Sequence, residues 1–153
     1  MQPPQAYPHC LGCGQAQLQP LLWIAETGLP HDLSGHHIIY TCRVIFACPL
    51  CCQAQLESYS HDCWSHDEDW DMYWWYLLDP NSTQQLCQLM GACPAPLSPT
   101  CPCALHQALR PISERLYGGI RHATSSYGQV QFARLRLQLE QGQPTFKLWE
   151  EEE

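Results

Sequence analysis

Cys48-Pro49-Leu50-Cys51 follows directly on a run from Ile38 to Ala47 that is dense in β-branched and aromatic side chains. Such a run predicts a strand, because branched and aromatic side chains pack well on a pleated surface. Residues 53–59 alternate weakly in polarity, and we expect them to return as the partner strand. The sequence therefore predicts a β-hairpin with a pair of cysteines in its turn.

A second cysteine pair, in Cys10-Leu11-Gly12-Cys13-Gly14, has the same spacing of two intervening residues. This spacing lets both sulfurs of a pair point at one ion about 2.3 Å away, and two such pairs complete the tetrahedral shell of Zn²⁺. The sequence therefore predicts one zinc site, site 1, with the ligands Cys10, Cys13, Cys48 and Cys51.

The two cysteine pairs resemble the knuckles of zinc-ribbon proteins, in which two knuckles at hairpin tips clamp one zinc ion. The residues that match this pattern are Cys10, Cys13, Gly14, Cys48, Pro49 and Cys51. Cys52 stands where a ribbon commonly has glycine. The resemblance covers roughly a third of the chain and implies a zinc-held hairpin in the N-terminal half.

A second cluster of potential metal ligands lies between residues 93 and 106. Cys103 and His106 are three residues apart on one face of a helix expected over 104–110, and Cys101 stands just before that helix. These three residues can bind one metal ion. The fourth ligand is open between Cys93, which is nearest in sequence, and Cys63, which the segment around His61 can deliver. We expect a second structural zinc ion here, at site 2.

Further elements follow from hydrophobic periodicity and from turn residues. We expect a short strand over 21–25, a buried strand or helix over 72–78, and a helix over 83–90 behind an N-cap in Asp79-Pro80-Asn81-Ser82. Pro111 is expected to end or kink the second helix. Residues 141–144 predict the turn of a C-terminal hairpin whose first strand carries a bulge near Ala133.

The sequence thus predicts an α+β fold with a zinc-ribbon-like hairpin, two short helices and a C-terminal antiparallel hairpin. We expect a single zinc-stabilised domain over 1–153, with a ribbon-like half (1–60), an acidic aromatic segment and second metal cluster (61–110), a C-terminal hairpin (111–149) and an acidic tail (150–153). Each structural zinc ion contributes on the order of 10–16 kcal/mol in isolated peptides, so two ions would supplement a thin core.

The chain of 153 residues has a formal net charge of −8, and no Lys or Arg stands between Arg43 and Arg110. So acidic a protein repels nucleic-acid phosphate, which disfavours nucleic-acid binding over a broad face. No apolar run reaches the ~20 residues of a membrane span, and residues 1–5 lack the features of a secretion signal. We therefore expect a cytoplasmic protein whose 11 cysteines are reduced, with the clustered cysteines serving as metal ligands.

Tryptophans and acids are concentrated between residues 62 and 79, where they predict a binding surface for a basic protein. The residues expected to contact that partner are Trp64, Asp67, Glu68, Asp69, Trp70 and Asp71. Small acidic inhibitors of basic nucleases or toxins, bacterial immunity proteins among them, are similar in composition. The first functional hypothesis is therefore a non-enzymatic interaction or inhibitor module.

Two enzymatic hypotheses rank second. Cys48-Pro49-Leu50-Cys51 resembles the Cys-Pro-x-Cys active site of glutaredoxin-like thiol-disulfide oxidoreductases, in which the first cysteine is a thiolate at a helix N-terminus. Alternatively, His61, His66 and neighbouring acids would hold the open metal of a hydrolase. A third hypothesis, nucleic-acid recognition, has only a few cations such as Arg134, Arg136 and Lys147 to support it.

Overall fold

The computed structural model describes residues 3–5, 7–28, 39–65, 68–113, 116, 120–122 and 132–149. At 39, 62–65, 68–71, 120–122 and 149 it describes the backbone alone. The elements, in chain order, are β1 (Gln19–Thr27), β2 (Ile39–Ala47), β3 (Ala54–Ser65), β4 (Glu68–Leu78), α1 (Pro80–Leu89), a 3₁₀ turn (Met90–Ala92), α2 (Ala104–Ser113), β5 (Ile120–His122), β6 (Ala133–Glu140) and β7 (Gln143–Trp149).

The strands form one mixed sheet in the order β1-β2-β3-β4-β6-β7, and β5 adds a short pairing to β4. Strands β1 to β4 are an antiparallel meander in chain order. One edge of β4 pairs with β5 through residues 72–74 and then, in parallel, with β6 through residues 76–78. Strands β6 and β7 form an antiparallel hairpin. Strand β4 therefore joins the N-terminal meander to the C-terminal hairpin.

The predicted fold class is wrong. Within the described residues the chain is mostly sheet, with two short helices packed on it, and the β2–β3 hairpin belongs to this sheet rather than to a separate zinc ribbon. The error lies in treating the hairpin at Cys48–Cys51 and the C-terminal hairpin as two units. Residues 72–78, which periodicity left open between strand and helix, belong to the long strand β4 that merges them.

Several individual elements are confirmed. The strand before Cys48 spans Ile39–Ala47 and pairs with the returning strand from Ala54 onward. The first helix begins at Pro80, three residues before the predicted start, because Asp79 caps it by accepting a hydrogen bond from the backbone N–H of Ser82 at 2.7 Å. The C-terminal hairpin is also confirmed, and its turn at Gln141 and Gly142 has the positive φ angles of 52° and 79° that favour tight hairpins.

Two expectations about element ends have different outcomes. Helix α2 continues through Pro111 to Ser113, where Ser113 Oγ donates to the carbonyl of Arg110 at 2.9 Å. Pro111 therefore does not end the helix at Arg110. The strand before the expected bulge, at Val130, lies outside the described residues.

Each face of the sheet carries its own apolar cluster. The helices cover the larger one, which includes Ile24, Ile45, Leu56, Tyr76 and Leu109. The smaller cluster, Trp23, Tyr40, Cys42, Val44 and Phe46, lies on the opposite face. Because Trp23, Trp75, Tyr76 and Phe46 are nearly or fully buried, the core is larger than the composition led us to expect.

The N-terminal segment, residues 7–18, crosses the face of the sheet that carries the smaller cluster. The backbone N–H of Tyr7 donates to Glu57 Oε1 at 2.9 Å, and the Tyr7 ring lies 5.8 Å from the ring of Trp75. Leu18 packs against the smaller cluster itself. In the part of the chain that the structure describes, neither ten-residue helix has the length and apolar character needed to cross a bilayer.

Candidate metal centres

Site 1 lies where the N-terminal segment meets the turn between β2 and β3. Cys10 and Cys13 occupy a turn before β1, while Cys48 and Cys51 occupy the β2–β3 turn, and their four sulfurs lie within 4.8 Å of one another. The β2–β3 pairing ends at Ala47 opposite Ala54, which leaves residues 48–53 to make the turn. Strand register thus presents one cysteine pair at the end of the sheet, and the N-terminal segment supplies the other.

The sulfur separations at site 1 match a tetrahedral shell. Cys10 Sγ lies 3.5 Å from Cys51 Sγ, and Cys13 Sγ lies 3.7 Å from Cys48 Sγ. Zinc–sulfur bonds of 2.3 Å at tetrahedral angles place sulfurs about 3.8 Å apart, whereas a disulfide bond is about 2.05 Å long. All ten cysteines whose side chains are described are free thiols.

Gln55 fastens the two halves of site 1 to each other. Its buried side chain accepts a hydrogen bond from the N–H of Leu11 at 2.8 Å and donates to the carbonyl of His9 at 3.0 Å. Both partners flank Cys10, while Gln55 itself stands on β3 a few residues after Cys51. One side chain therefore sets the distance between the cysteine pairs.

The backbone of both turns is adapted to the sulfurs. The N–H of Gly12 points at Cys10 Sγ, 3.3 Å away, and a Cβ on Gly12 would collide with the side chain of Gln53. Cys52 has a φ of 61°, the left-handed conformation in which glycine is favoured. The position where a zinc ribbon commonly has glycine thus keeps glycine-like geometry here with a cysteine.

Thiol pKa values at site 1 diverge. Burial raises the pKa of Cys10, and burial likewise raises that of Cys51 to about 12. At Cys48 burial also acts to raise the pKa, but the backbone N–H groups of Cys51 and Leu50 outweigh it and lower the value to about 7. Without a cation the site therefore keeps protons on some of its sulfurs.

Site 2 brings together Cys93, Cys101, Cys103 and His106, whose ligand atoms lie within 4.8 Å of one another. Cys93 follows the 3₁₀ turn after α1, Cys101 and Cys103 end the connecting loop, and His106 lies in the first turn of α2. Of the two sequence candidates for the fourth position, Cys93 is the one present in this cluster. The side chain of Cys63 is outside the described part of the structure.

His106 is oriented as a metal ligand. Its Nδ1 lies 3.1 Å from Cys103 Sγ and 3.4 Å from Cys93 Sγ, while its Nε2 lies 3.0 Å from the carbonyl oxygen of Trp23. Because a carbonyl only accepts, Nε2 carries the proton and Nδ1 has its lone pair toward the sulfurs. A backbone carbonyl that accepts from the nitrogen facing away from the metal is typical of zinc-binding histidines. Burial lowers the pKa of His106, which keeps the ring neutral.

Arg110 holds the loop of site 2 in place. Its Nη2 donates to the carbonyls of Pro99 at 2.8 Å and Cys101 at 2.6 Å, and its Nε donates to that of Ile24 at 3.2 Å. The loop is thereby fixed to α2 and to β1 at once. Burial raises the pKa of Cys93 to about 11, whereas the backbone N–H of Cys103 lowers the pKa of Cys101.

The residues predicted to bind a partner belong to the β3–β4 hairpin. Trp64 lies on β3, and Glu68, Asp69, Trp70 and Asp71 lie on β4, where Trp70 pairs with Asp62 and Asp71 pairs with His61. Asp67 and His66 lie outside the described residues, and the other five partner-binding residues are described by backbone alone. They share one hairpin and lie apart from both cysteine clusters in the fold.

Sequence reasoning missed Gln55, Arg110 and the carbonyl of Trp23. A buried glutamine in an otherwise ordinary strand gives no local signal, since its partners, Leu11 and His9, are 44 and 46 residues away. Arg110 carried a weak signal, because it stands four residues after His106 on the same helix and a guanidinium only donates hydrogen bonds, which makes backbone carbonyls its natural partners.

No protein-family model, no curated protein and no solved structure matches this chain. Among the described residues, the candidate functional sites are two clusters of four cysteine and histidine ligands. Each cluster could hold a metal ion.

Proposed function

We propose that this protein is a small acidic zinc-binding module that has a structural zinc ion at each cluster and binds a basic protein partner. The observation that carries the zinc assignment is the spacing of the ligand atoms. Sulfur pairs 3.5, 3.7 and 3.9 Å apart fit a tetrahedral shell and no disulfide.

The donor sets favour zinc over other biological cations. Four thiolates at site 1, and three thiolates with one imidazole at site 2, are soft ligands that exclude Ca²⁺ and Mg²⁺. Each cluster supplies four protein ligands, which leaves no open coordination position for water or substrate. The proposed zinc ions are therefore structural.

The partner half of the proposal is supported by charge and by topology. The hairpin formed by β3 and β4 carries Asp62, Glu68, Asp69 and Asp71 near its tip, and none of these acids lies opposite another across the two strands. A short, paired segment with this density of acids accelerates encounter with a positive surface. Tryptophans among the acids supply the kind of side chain that dominates binding energy.

One observation favours the oxidoreductase alternative, namely the lowering of the Cys48 pKa to about 7. The Cys-Pro-x-Cys resemblance also implies a helix after the motif, but the residues after Cys52 enter strand β3. In addition, the Sγ of Cys13 lies 3.7 Å from the Sγ of Cys48, and the likeness to oxidoreductases does not explain this second cysteine pair. We therefore rank this activity second.

Native mass spectrometry of the purified, reduced chain tests the zinc assignment. We expect two zinc ions per chain, one after Cys51→Ser and one after Cys101→Ser. Cys87→Ser is the matched control, because Cys87 is exposed on α1 and belongs to neither cluster. Absence of metal from the purified protein, or two ions retained in all three variants, would refute the assignment.

Binding to a panel of small basic proteins, nucleases included, tests the partner. We expect binding that weakens as salt rises and that is lost after Asp67→Asn, Glu68→Gln, Asp69→Asn and Asp71→Asn together. Changing Glu150, Glu151, Glu152 and Glu153 to Gln alters the net charge equally and should leave binding intact. Equal loss in both variants would point to bulk charge, and no binding across the panel would contradict the proposal.

A further inference from the structure

The outer edge of β1 is covered by the segment that forms site 2. Among the described strands β1 ends the sheet, with β2 on its only paired side. The N–H of Trp23 donates to the carbonyl of Pro96 at 2.8 Å, and its carbonyl accepts from His106 Nε2 at 3.0 Å. The carbonyl of Ile24 accepts from Arg110 Nε at 3.2 Å. Three outward backbone groups of the edge are thus satisfied from residues 96–110.

This cover depends on the same residues that surround the proposed metal. His106 is a ligand of site 2, Pro96 lies in the loop between the ligands Cys93 and Cys101, and Arg110 holds the carbonyl of Cys101. A metal ion that binds these ligands therefore fixes the cover over the edge. Loss of the ion frees the loop, and the N–H and C=O of Trp23 then lose their partners.

An uncovered edge of this composition favours pairing with another strand. Residues 21–25, Leu-Leu-Trp-Ile-Ala, are a continuous apolar run without charge, and an exposed apolar edge strand is a template for association. In an antiparallel pair, a residue whose N–H and C=O both point outward exchanges both bonds with the residue opposite. Trp23 has this orientation, so two copies can pair around a two-fold axis at Trp23, as closed homodimers require.

We propose that the edge of β1 is a docking surface for β1 of a second copy of this chain, and that the metal ion at site 2 keeps it closed. The proposal rests on the zinc-binding function proposed above. The zinc-loaded protein is then a monomer in which residues 96–110 cover the strand. Emptying site 2 alone produces a dimer with a continuous sheet across the two copies.

The register follows from the centre at Trp23. Residue 19 of one copy lies opposite residue 27 of the other, so Gln19 faces Thr27 of the second copy at both ends of the pairing. Both positions are exposed. Lysine at both places therefore sets like charges opposite each other and opposes the pairing.

Sedimentation velocity of the full chain at physiological salt tests the proposal. The zinc-loaded wild type is expected to sediment as a monomer of 17.5 kDa. Cys101→Ser, with site 1 still loaded, should shift with rising concentration to twice that mass. Adding Gln19→Lys and Thr27→Lys to this variant should restore the monomer, whereas Gln84→Lys and Gln88→Lys, the same charge change at exposed positions of α1, should leave the dimer.

A second variant serves if Cys101→Ser fails to fold by far-UV circular dichroism. Cys93→Ser removes a different, only partly buried ligand of site 2 and leaves Pro96, His106 and Arg110 unchanged, and it should dimerise in the same lysine-sensitive way. Amide hydrogen exchange at Trp23 should be slow in the loaded monomer and in the dimer, and fast in the site 2 variant that also carries Gln19→Lys and Thr27→Lys. Folded monomers for both Cys101→Ser and Cys93→Ser, or association that both lysine pairs affect equally, would overturn the inference. If the dimer proposal fails in one of these ways while the wild type still holds two zinc ions, the zinc assignment stands. A metal-free wild type refutes the zinc assignment instead.

Discussion

At the scale of single residues, Gln55 links metal binding at site 1 to the sheet. Its amide satisfies the N–H of Leu11 and the carbonyl of His9, and it stands on the strand that leaves the Cys48–Cys51 turn. Removing such an outer contact typically weakens metal affinity by about 10–100-fold. The effect should stay at site 1, because the ligands of site 2 make no described contact with Gln55.

We expect Gln55→Leu to lower the zinc affinity of site 1 by at least about tenfold, since the N–H of Leu11 and the carbonyl of His9 lose their partner. Competition with a chromophoric chelator measures both sites. Gln84→Leu, on the exposed face of α1, is the control and should leave both affinities unchanged. Equal affinities in Gln55→Leu and wild type would mean that the cysteine turns are positioned without this side chain.

The thiols also determine how binding of the proposed zinc ion at site 1 should depend on pH. Burial raises the pKa values of Cys10 and Cys51, the latter to about 12, so both sulfurs carry protons at pH 7.5 when no metal is bound. Zinc must displace both protons. The affinity of site 1 should therefore fall as pH falls, by at least about 100-fold per pH unit, because at least these two protons are displaced.

Chelator competition between pH 6.5 and 8.5 measures this slope. Cys51→Ser removes one of these two protonated ligands, so any affinity that remains should depend on pH less steeply, by about a factor of ten per pH unit. A pH-independent affinity in the wild type would show that the thiols are already ionised in the metal-free protein.

At the scale of elements, the start of α1 depends on Asp79. Its carboxylate accepts from the N–H of Ser82, and its carbonyl accepts from Thr83. Thr83 Oγ1 in turn accepts from the N–H of Ala54 at the start of β3. The cap therefore connects the helix to the strand that follows site 1.

Asp79→Ala should lower the free energy of unfolding by about 1 kcal/mol, the usual cost of a lost N-cap. Urea denaturation followed by far-UV circular dichroism measures it. Asp79→Asn keeps a capping oxygen and should recover most of the loss, and Asn81→Ala, at an exposed position of the same turn, should have little effect. Arg136→Gln tests the 3.7 Å ion pair with Asp79 separately, and we expect that pair to be weak because the Arg136 side chain is exposed and that of Asp79 is only partly buried. If Asp79→Ala is as stable as Asn81→Ala, the helix start is held by packing.

How far the sequence predicts these elements depends on the range of the interactions involved. Strand β2 and the cap of α1 were predictable, because branched side chains and an Asp-Pro step act over neighbouring residues. The cysteine spacing likewise predicted which sulfurs lie together. The joining of β4 to β6 was not predictable, since it pairs Tyr76 with Ala133 and no local pattern encodes a contact across 57 residues. The same reason hid Gln55 and the contact of His106 with Trp23.

At the scale of the whole molecule, the two proposed zinc ions hold segments that cover opposite parts of the sheet. Site 1 fixes the N-terminal segment that crosses the face carrying the smaller apolar cluster, and site 2 fixes the loop before α2. Tyr7, in the segment held at site 1, packs on Trp75, and the backbone of Trp23 is hydrogen-bonded to the site 2 segment. Aromatic residues therefore lie next to the segments of both sites.

We expect a strong chelator to unfold the protein, with loss of the near-UV circular dichroism of these rings and restoration on return of zinc. The reason is that structural zinc contributes on the order of 10 kcal/mol, as much as a domain's total stability. Treatment with a chelator that removes magnesium but not zinc, at equal ionic strength, is the control. An unchanged near-UV spectrum after complete removal of metal would show that the apolar clusters suffice to hold the fold.

The parallel pairing of β4 with β6 has a consequence for how the chain acquires its structure during synthesis. In the meander from β1 to β4 each strand pairs with the strand next to it in the sequence. These four strands can therefore pair as soon as residue 78 has left the ribosome. The far side of β4 must then wait for residues 133–135. We expect the late synthesis of β6 to limit the folding rate. We also expect a nascent chain that ends before β6 to be the form that most needs a chaperone.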